Sequence, residues 1–350
     1  MRDLLLVLRR RAMSGAAMAA LLLSATVATG CGGEDSEGGS QAAGGSDQAG
    51  KTYTVGIDIP FHPIFDYVMG RSEEYFAGKP YRVEFKVLDA TTQVPAFGKG
   101  DLDVMTTVPS FIPRVTEQYG IDVAEFFPLA RWTIGPQILV AKDSPYRTLE
   151  DLEGKKVAIP PLKTRFGAEE AAILAVTGQN IRDYFELAET DAAAQQVSLG
   201  RVDAAFIEAP TTYPLLKSGD FNAVYSVADA FGQAFDDDAV VNGGYIARRD
   251  LIESNPQFIQ DLIAATQDAW NRYNEDPEQV NDVASEVSGV PAEQLKVVGE
   301  VLNLDGIPPE QRAITEQDVE TWKQIFPLLE KSGFIEKAPE DVEALFEVTK

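Results

Sequence analysis

Several residues of this chain are of types that bind small polar molecules, and they cluster in short loops after apolar, strand-like runs. In Thr106-Thr107-Val108-Pro109-Ser110, hydroxyls precede a helix-like stretch from Phe111 to Tyr119. Thr107 and Ser110 can donate to an oxygen-rich group beside free backbone N–H groups. Ser110 is equally well explained as a plain helix cap. In Pro160-Pro161-Leu162-Lys163-Thr164-Arg165-Phe166, the loop runs directly into the helical stretch Ala168–Thr177. A helix start favours anions through its free amides and dipole. Thr164 can cap there, and Arg165, with Lys163 beside it, adds fixed positive charge. Arginine suits carboxylates and sulfonates because it offers paired hydrogen bonds. The null for both basic residues is a solvated surface.

Further candidates are ambiguous in kind. The loop Asp58-Ile59-Pro60-Phe61-His62-Pro63 is stiffened by two prolines and presents Phe61 and His62. His62 reads either as a ligand contact or as a solvated loop residue. Arg131, next to Trp132, stands just before the strand Gln137–Lys142; it can clamp an anion or pair with one of many acids. Glu208 follows an apolar strand and can receive an ammonium or a heterocyclic N–H, or make a salt bridge. Asn242 leads the loop Asn242-Gly243-Gly244-Tyr245.

Composition excludes several classes. His62 is the only histidine and Cys31 the only cysteine, so neither a three-histidine metal site nor a structural zinc set is present. No phosphate loop and no serine or cysteine nucleophile with a paired base appears. The sequence therefore points to binding without catalysis, cofactor or metal. The net charge is −25, and removing residues 1–30, with four arginines and one aspartate, takes it to −28. Such a surface argues against nucleic acid and against docking on anionic lipid.

The elements that position these loops alternate. Tyr53–Ile59, Tyr81–Val87, Asp103–Thr107, Gln137–Lys142, Lys156–Ile159, Val202–Ile207 and Val240–Ala247 read as strands. Ile64–Phe76, Ala168–Thr177, Ala192–Leu199 and Asn255–Tyr273 read as helices, and beyond about residue 250 the chain is almost all helical. Strand–helix alternation implies an α/β fold with mainly parallel sheets covered on both faces. No internal repeat is visible. In such sheets ligands sit beyond the carboxyl ends of the strands.

The N-terminus carries an address. Arg2, Arg9, Arg10 and Arg11 precede an apolar stretch from about Ala16 to Ala28, too short to span a membrane and readable as a signal-peptide core. It ends in Val27-Ala28-Thr29-Gly30-Cys31, which resembles a bacterial lipobox cleaved before Cys31. Residues 32–50 contain no aromatic and no branched aliphatic residue, and so cannot bury enough apolar surface to fold. The expected organisation is a signal peptide at 1–30 and a lipidated Cys31 with a flexible tether to residue 51.

Three motifs carry a family resemblance: Gly98-Lys99-Gly100-Asp101-Leu102-Asp103-Val104; Asp143-Ser144-Pro145 with Leu149–Val157 and Ala158-Ile159-Pro160; and Leu199-Gly200-Arg201-Val202-Asp203-Ala204-Ala205 with Glu208-Ala209-Pro210. In order and spacing they resemble the solute-binding proteins of ABC transporters for sulfonates, taurine, nitrate and thiamine precursors. The resemblance implies a two-lobed, type II periplasmic-binding-protein-like fold with a ligand cleft between the lobes and a helical C-terminal part. Lobe 1 is expected at 52–132 plus 248–350, and lobe 2 at 133–247, including both crossing strands. It implies capture of a small organic solute, anionic and bearing a sulfonate or carboxylate. The anionic head would sit at the 160–166 loop, with Thr107 and Ser110 facing it. Its partners are an ABC permease and ATPase complex. The protein is expected to be a monomer on the outer face of the bacterial cell membrane, touching the membrane only through its lipid anchor. Related enzymes of pyrimidine synthesis and the menaquinone pathway, or a sensor on the same fold, form the alternative.

The lipobox reading has a direct test. Cys31→Ala should release the protein into the medium or leave its signal uncleaved; membrane fractionation and the mass of the mature chain decide. A correctly processed variant that stays with the membrane would sink the assignment.

Overall fold

Ten strands alternate with helices to build two five-stranded sheets. The computed structural model describes residues 50–57, 62–88, 90–132, 136–160, 167–207, 211–237 and 239–348; the signal peptide, Cys31 and nearly all of the tether lie outside them. In chain order the strands are β1 (Thr52–Ile57), β2 (Arg82–Val87), β3 (Val104–Thr107), β4 (Val123–Trp132), β5 (Gln137–Ala141), β6 (Lys156–Ile159), β7 (Glu186–Glu189), β8 (Ala204–Ile207), β9 (Phe221–Ser226) and β10 (Val240–Arg248). The first helices are α1 (Pro63–Gly70), α2 (Ser72–Tyr75), α3 (Ala90–Lys99) and α4 (Ile112–Tyr119). Between β6 and β10 come α5 (Gly167–Thr177), α6 (Ile181–Tyr184), α7 (Ala193–Ser198), α8 (Thr212–Ser218) and α9 (Val227–Phe235). After β10 the chain is helical: α10 (Arg249–Ser254), α11 (Pro256–Glu275), α12 (Pro277–Ser288), α13 (Ala292–Val301) and α14 (Glu316–Ser332).

The sheets share one plan. The first has the order β2-β1-β3-β10-β4 and the second β7-β6-β8-β5-β9. In each, four strands run parallel and the fourth position holds the single antiparallel strand, β10 or β5. The likeness reaches single residues. The Asp103 N–H donates to the Thr54 carbonyl (2.9 Å), and its carboxylate accepts the Thr54 N–H (2.8 Å). Asp203 does the same with Lys156, at 2.8 and 3.0 Å. Each aspartate ends a Gly-x-apolar-Asp turn whose glycine, Gly100 or Gly200, has positive φ (87° and 62°), a conformation that glycine takes without a Cβ penalty. Two of the sequence motifs thus do the same work in the two halves: they lock the third strand in each sheet order, β3 or β8, to the second, β1 or β6. The internal repeat that the sequence conceals is one of topology.

Burial explains the strand choice. Tyr53, Val55 and Ile57 of β1 are fully buried between α1 and α11 on one side and the α3–α4 layer on the other. At the edge, β2 alternates half-buried Val83 and Phe85 with exposed Arg82, Glu84 and Lys86; charges on an edge strand discourage pairing with another chain.

Two assignments made from sequence need correction. Residues 240–247, expected in the second lobe, form β10, hydrogen-bonded on both sides within the first sheet. Residues 248–350, expected wholly in the first lobe, divide: α11 and α12 pack on the first sheet, whereas α14 packs Trp322, Ile325, Phe326 and Leu329 against α5 and α9. Its amphipathic pattern offers an apolar face but does not say which sheet receives it.

Arg131, near the end of β4, fastens α14 in place. Its guanidinium makes a two-pronged ion pair with Asp318 (2.6 and 3.0 Å) and donates to the carbonyls of Ala239 (2.8 Å), Gln311 (2.6 Å) and Ala313 (2.9 Å). Both side chains are nearly inaccessible, at 5% and 2% exposure. Asp318 also completes the capping box with Thr315 that starts α14. Removing one partner of a buried pair strands the other charge, which costs about 3–5 kcal/mol. Arg131→Met should therefore lower the unfolding free energy by that amount in a denaturant titration. A loss below about 1 kcal/mol, the worth of a surface pair, would show that the clamp is dispensable.

Candidate functional site

Strand direction sets the location of the candidate site. In the first sheet β1, β3 and β4 end at Ile57, Thr107 and Trp132 on the edge where β10 begins at Val240. In the second, β6, β8 and β9 end at Ile159, Ile207 and Ser226 on the edge where β5 begins at Gln137. The loops after β1, β3, β6 and β8 leave these two edges, whereas Asn242-Gly243-Gly244-Tyr245, read from sequence as a loop, lies within β10. Phe61, Lys163, Thr164, Arg165 and Glu208 fall outside the described residues.

The first edge gathers three of the expected side chains. Thr107 closes β3 opposite Gly244 of β10. Ser110 follows in the 3-10 turn Pro109–Phe111. They are 6% and 3% exposed, yet neither hydroxyl takes part in a hydrogen bond. Ser110 is not a helix cap either: α4 starts after Phe111 with no side-chain cap. Neither hydroxyl oxygen is among the fully buried unpartnered atoms, so both can donate to an acceptor that reaches this edge. Asn242, two residues before Gly244 on the same edge, is half-buried.

His62 occupies the N-cap position of α1 without capping it, and its ring lies 4.6 Å from that of Phe65. It is 1% exposed, which contradicts the solvated-loop reading. Burial pushes the imidazole down to about 4, weakly opposed by the neighbouring backbone of Leu129 and of His62 itself; neither ring nitrogen has a partner in hydrogen-bonding geometry. At neutral pH His62 is an uncharged ring. On the second edge, Gln137 buries an Oε1 with no partner. Sequence reasoning passed over it, although a glutamine opening the run Gln137-Ile138-Leu139-Val140-Ala141 is a polar residue where the core pattern calls for an apolar one.

Arg131 is a correction. All its guanidinium N–H groups are taken up by Asp318 and three carbonyls, so none remains for a ligand. Its sequence position, beside an aromatic at a strand end, gave no hint of a carboxylate 187 residues away. Among the described residues no cluster of His, Cys, Asp and Glu is arranged to hold a metal, and no helix is long and apolar enough to cross a membrane.

Residues 61–278 match the family described as ABC transporter, phosphonate, periplasmic substrate-binding protein. The chain belongs to this family. No curated protein matches the sequence. Among solved structures, the periplasmic aliphatic sulphonate binding protein of Escherichia coli is 19% identical, with a TM-score of 0.66 over 86% of this chain and 94% of that one. The alkanesulfonate-binding protein of Xanthomonas axonopodis pv. citri, bound to MOPS, is 18% identical, with a TM-score of 0.59 over 85% and 99%. The periplasmic nitrate-binding protein of Synechocystis PCC 6803 is 17% identical, with a TM-score of 0.51 over 72% and 70%. At these identities the likeness establishes the fold, the two-lobed type II architecture of periplasmic binding proteins. Family members are substrate-binding proteins of ABC transporters.

The state of His62 predicts a pH dependence. Its folded pKa of about 4 lies below the ordinary 6.5, so its contribution is fully present above pH 6.5 and is lost as pH falls toward 4. Relative to His62→Phe, the wild type should lose roughly 2.5 kcal/mol between pH 7.5 and 4.5, measured as unfolding free energies of both proteins at both pH values. A difference that does not change with pH would show that the ring titrates normally.

Proposed function

We propose that the chain is the extracytoplasmic solute-binding component of an ABC importer and that it captures a small organic anion by closing its two halves around it. The family match, together with the hydroxyls of Thr107 and Ser110, which make no hydrogen bond at the carboxyl edge of β3, carries this reading. A site built from hydroxyl donors suits an oxyanion, and the edge lies where sheets of this kind bind ligands. Arg165 and Thr164 on the second half remain proposed contacts to the anionic group, and Asn242, His62 and Phe61 proposed walls on the first. Glu208 is the proposed receiver of any N–H or ammonium at the far end of the solute. The proposed solute bears a sulfonate or carboxylate; the family description adds phosphonate to the same oxyanion class. A permease and an ATPase are the partners that receive it, and Cys31 is the proposed lipid anchor of a monomer.

A thermal-shift panel tests the class. Organic phosphonates, sulfonates and carboxylates are compared with pyrimidines and cationic amines of similar size. A true ligand at a hundredfold excess over its dissociation constant stabilises the fold by about 2.7 kcal/mol. The expected outcome is stabilisation by one or more anions and by none of the other compounds. Stabilisation by a pyrimidine or a cation alone, or turnover of any compound, would overturn the proposal.

A further inference from the structure

We propose that Arg114 supplies the positive charge of the anion site and that Phe111 and Phe334 hold it ready, a proposal that rests on the anion-capture reading above. Arg114 sits on the first turn of α4, four residues after Ser110. Ser110 lies in the 3-10 turn that leads into α4, so about one turn of chain separates it from Arg114. Its central carbon lies 5.2 Å from the centre of the Phe111 ring and 5.3 Å from that of Phe334. The two rings meet edge to face at 5.7 Å and 86°. Stacking on aromatic faces leaves the in-plane fork of N–H donors unused, and Arg114 makes neither a hydrogen bond nor an ion pair.

An arginine in that state needs explaining here. Acids outnumber basic residues 55 to 30 in this chain, and Arg131, Arg249 and Arg272 all have carboxylate partners. Arg114 is half-buried without one. A cation lacking a counter-ion thus lies about one helical turn along the chain from a hydroxyl that makes no hydrogen bond. One phosphonate or sulfonate group would answer both: two oxygens take the arginine fork and the third takes a hydroxyl.

Phe334 ties this to the second half. It follows α14, whose apolar face packs with α5 and α9, and its ring abuts Gly167 at the start of α5, where a Cβ would come within 2.8 Å. Phe111 and Arg114 belong to the other half, since α4 packs Ile112 and Val115 with Phe97, Met105 and Val123. The stack therefore joins the Ser110 turn of one half to the start of α5 in the other.

Calorimetry on the full chain tests the assignment, with methylphosphonate, 2-aminoethylphosphonate, ethanesulfonate and taurine as probes. For any probe that binds the wild type, Arg114→Gln should weaken binding about thirtyfold or more, the loss expected for a charged hydrogen bond to a buried group. Arg114→Lys, which keeps the charge but not the fork, should lose less; it also carries the test if the glutamine variant does not fold. Phe334→Leu should weaken binding while leaving both charges intact. Affinities of both Arg114 variants within twofold of the wild type would overturn the role of Arg114 and leave anion capture standing. A wild type that binds none of the four probes would overturn this assignment and leave only a carboxylate to the anion reading.

Discussion

A guanidinium can be buried only where each of its donors finds an acceptor, and Arg131 finds five contacts in one place. Two come from Asp318 and three from carbonyls of residues 239, 311 and 313. Those segments are the return into β10 and the approach to α14, so one side chain gathers the end of β4, the start of β10 and the last long helix. Trp322 reinforces the junction by donating its indole N–H to the Val241 carbonyl at 3.1 Å. Since α14 also packs on α5 and α9, this junction fixes where the second half sits against the strands on which both crossings pivot.

A second regularity follows from the shared strand plan. The aspartates at 103 and 203 hold β3 to β1 and β8 to β6, each by a pair of hydrogen bonds. That pairing fixes the register in which β3 and β8 start, and through it where the loops after them begin. The hydroxyls of Thr107 and Ser110 owe their position to it. Nearby, Glu125 of β4 is fully buried, its carboxyl packed against Gly244. Burial first, and then Asp318, pushes its pKa well up, with Arg131 opposing. A second negative charge there would compete with Asp318 for Arg131.

The sequence disclosed what short-range patterns encode. Alternation exposed β1 and β2, apolar runs exposed β5, β6 and β10, and the two glycine–aspartate turns exposed the start of β3 and β8. Three strands escaped it. β4 has no alternation, because Val123, Ala124, Phe126, Phe127 and Leu129 are all buried and Pro128 interrupts the run. β7 and β9 are edge strands with mixed polarity. The expected helix from Ile64 to Phe76 breaks at Arg71 into α1 and α2. Among site residues, hydroxyls after a strand were legible as donors, whereas the pairing of Arg131 with Asp318 was not, since a partner so far along the chain leaves no local trace. Arg114 was hidden for the same reason: the spacing to Phe111 is local, but the second ring, Phe334, lies at the other end of the sequence.

The place of β10 has a consequence for how the molecule is made. It lies between β3 and β4, yet the chain reaches it only after passing through the whole of the second sheet. The strands from β5 to β9 form a contiguous stretch that can pair as soon as it is synthesised. The first sheet has no such freedom. Its β3 and β4 have a gap between them until residue 240 arrives, and contacts of such long sequence separation slow folding. An exported chain emerges N-terminus first, so its earliest strands must wait longest, with unpaired edges open to other chains. The lobe that comes first in the sequence is the last to be finished.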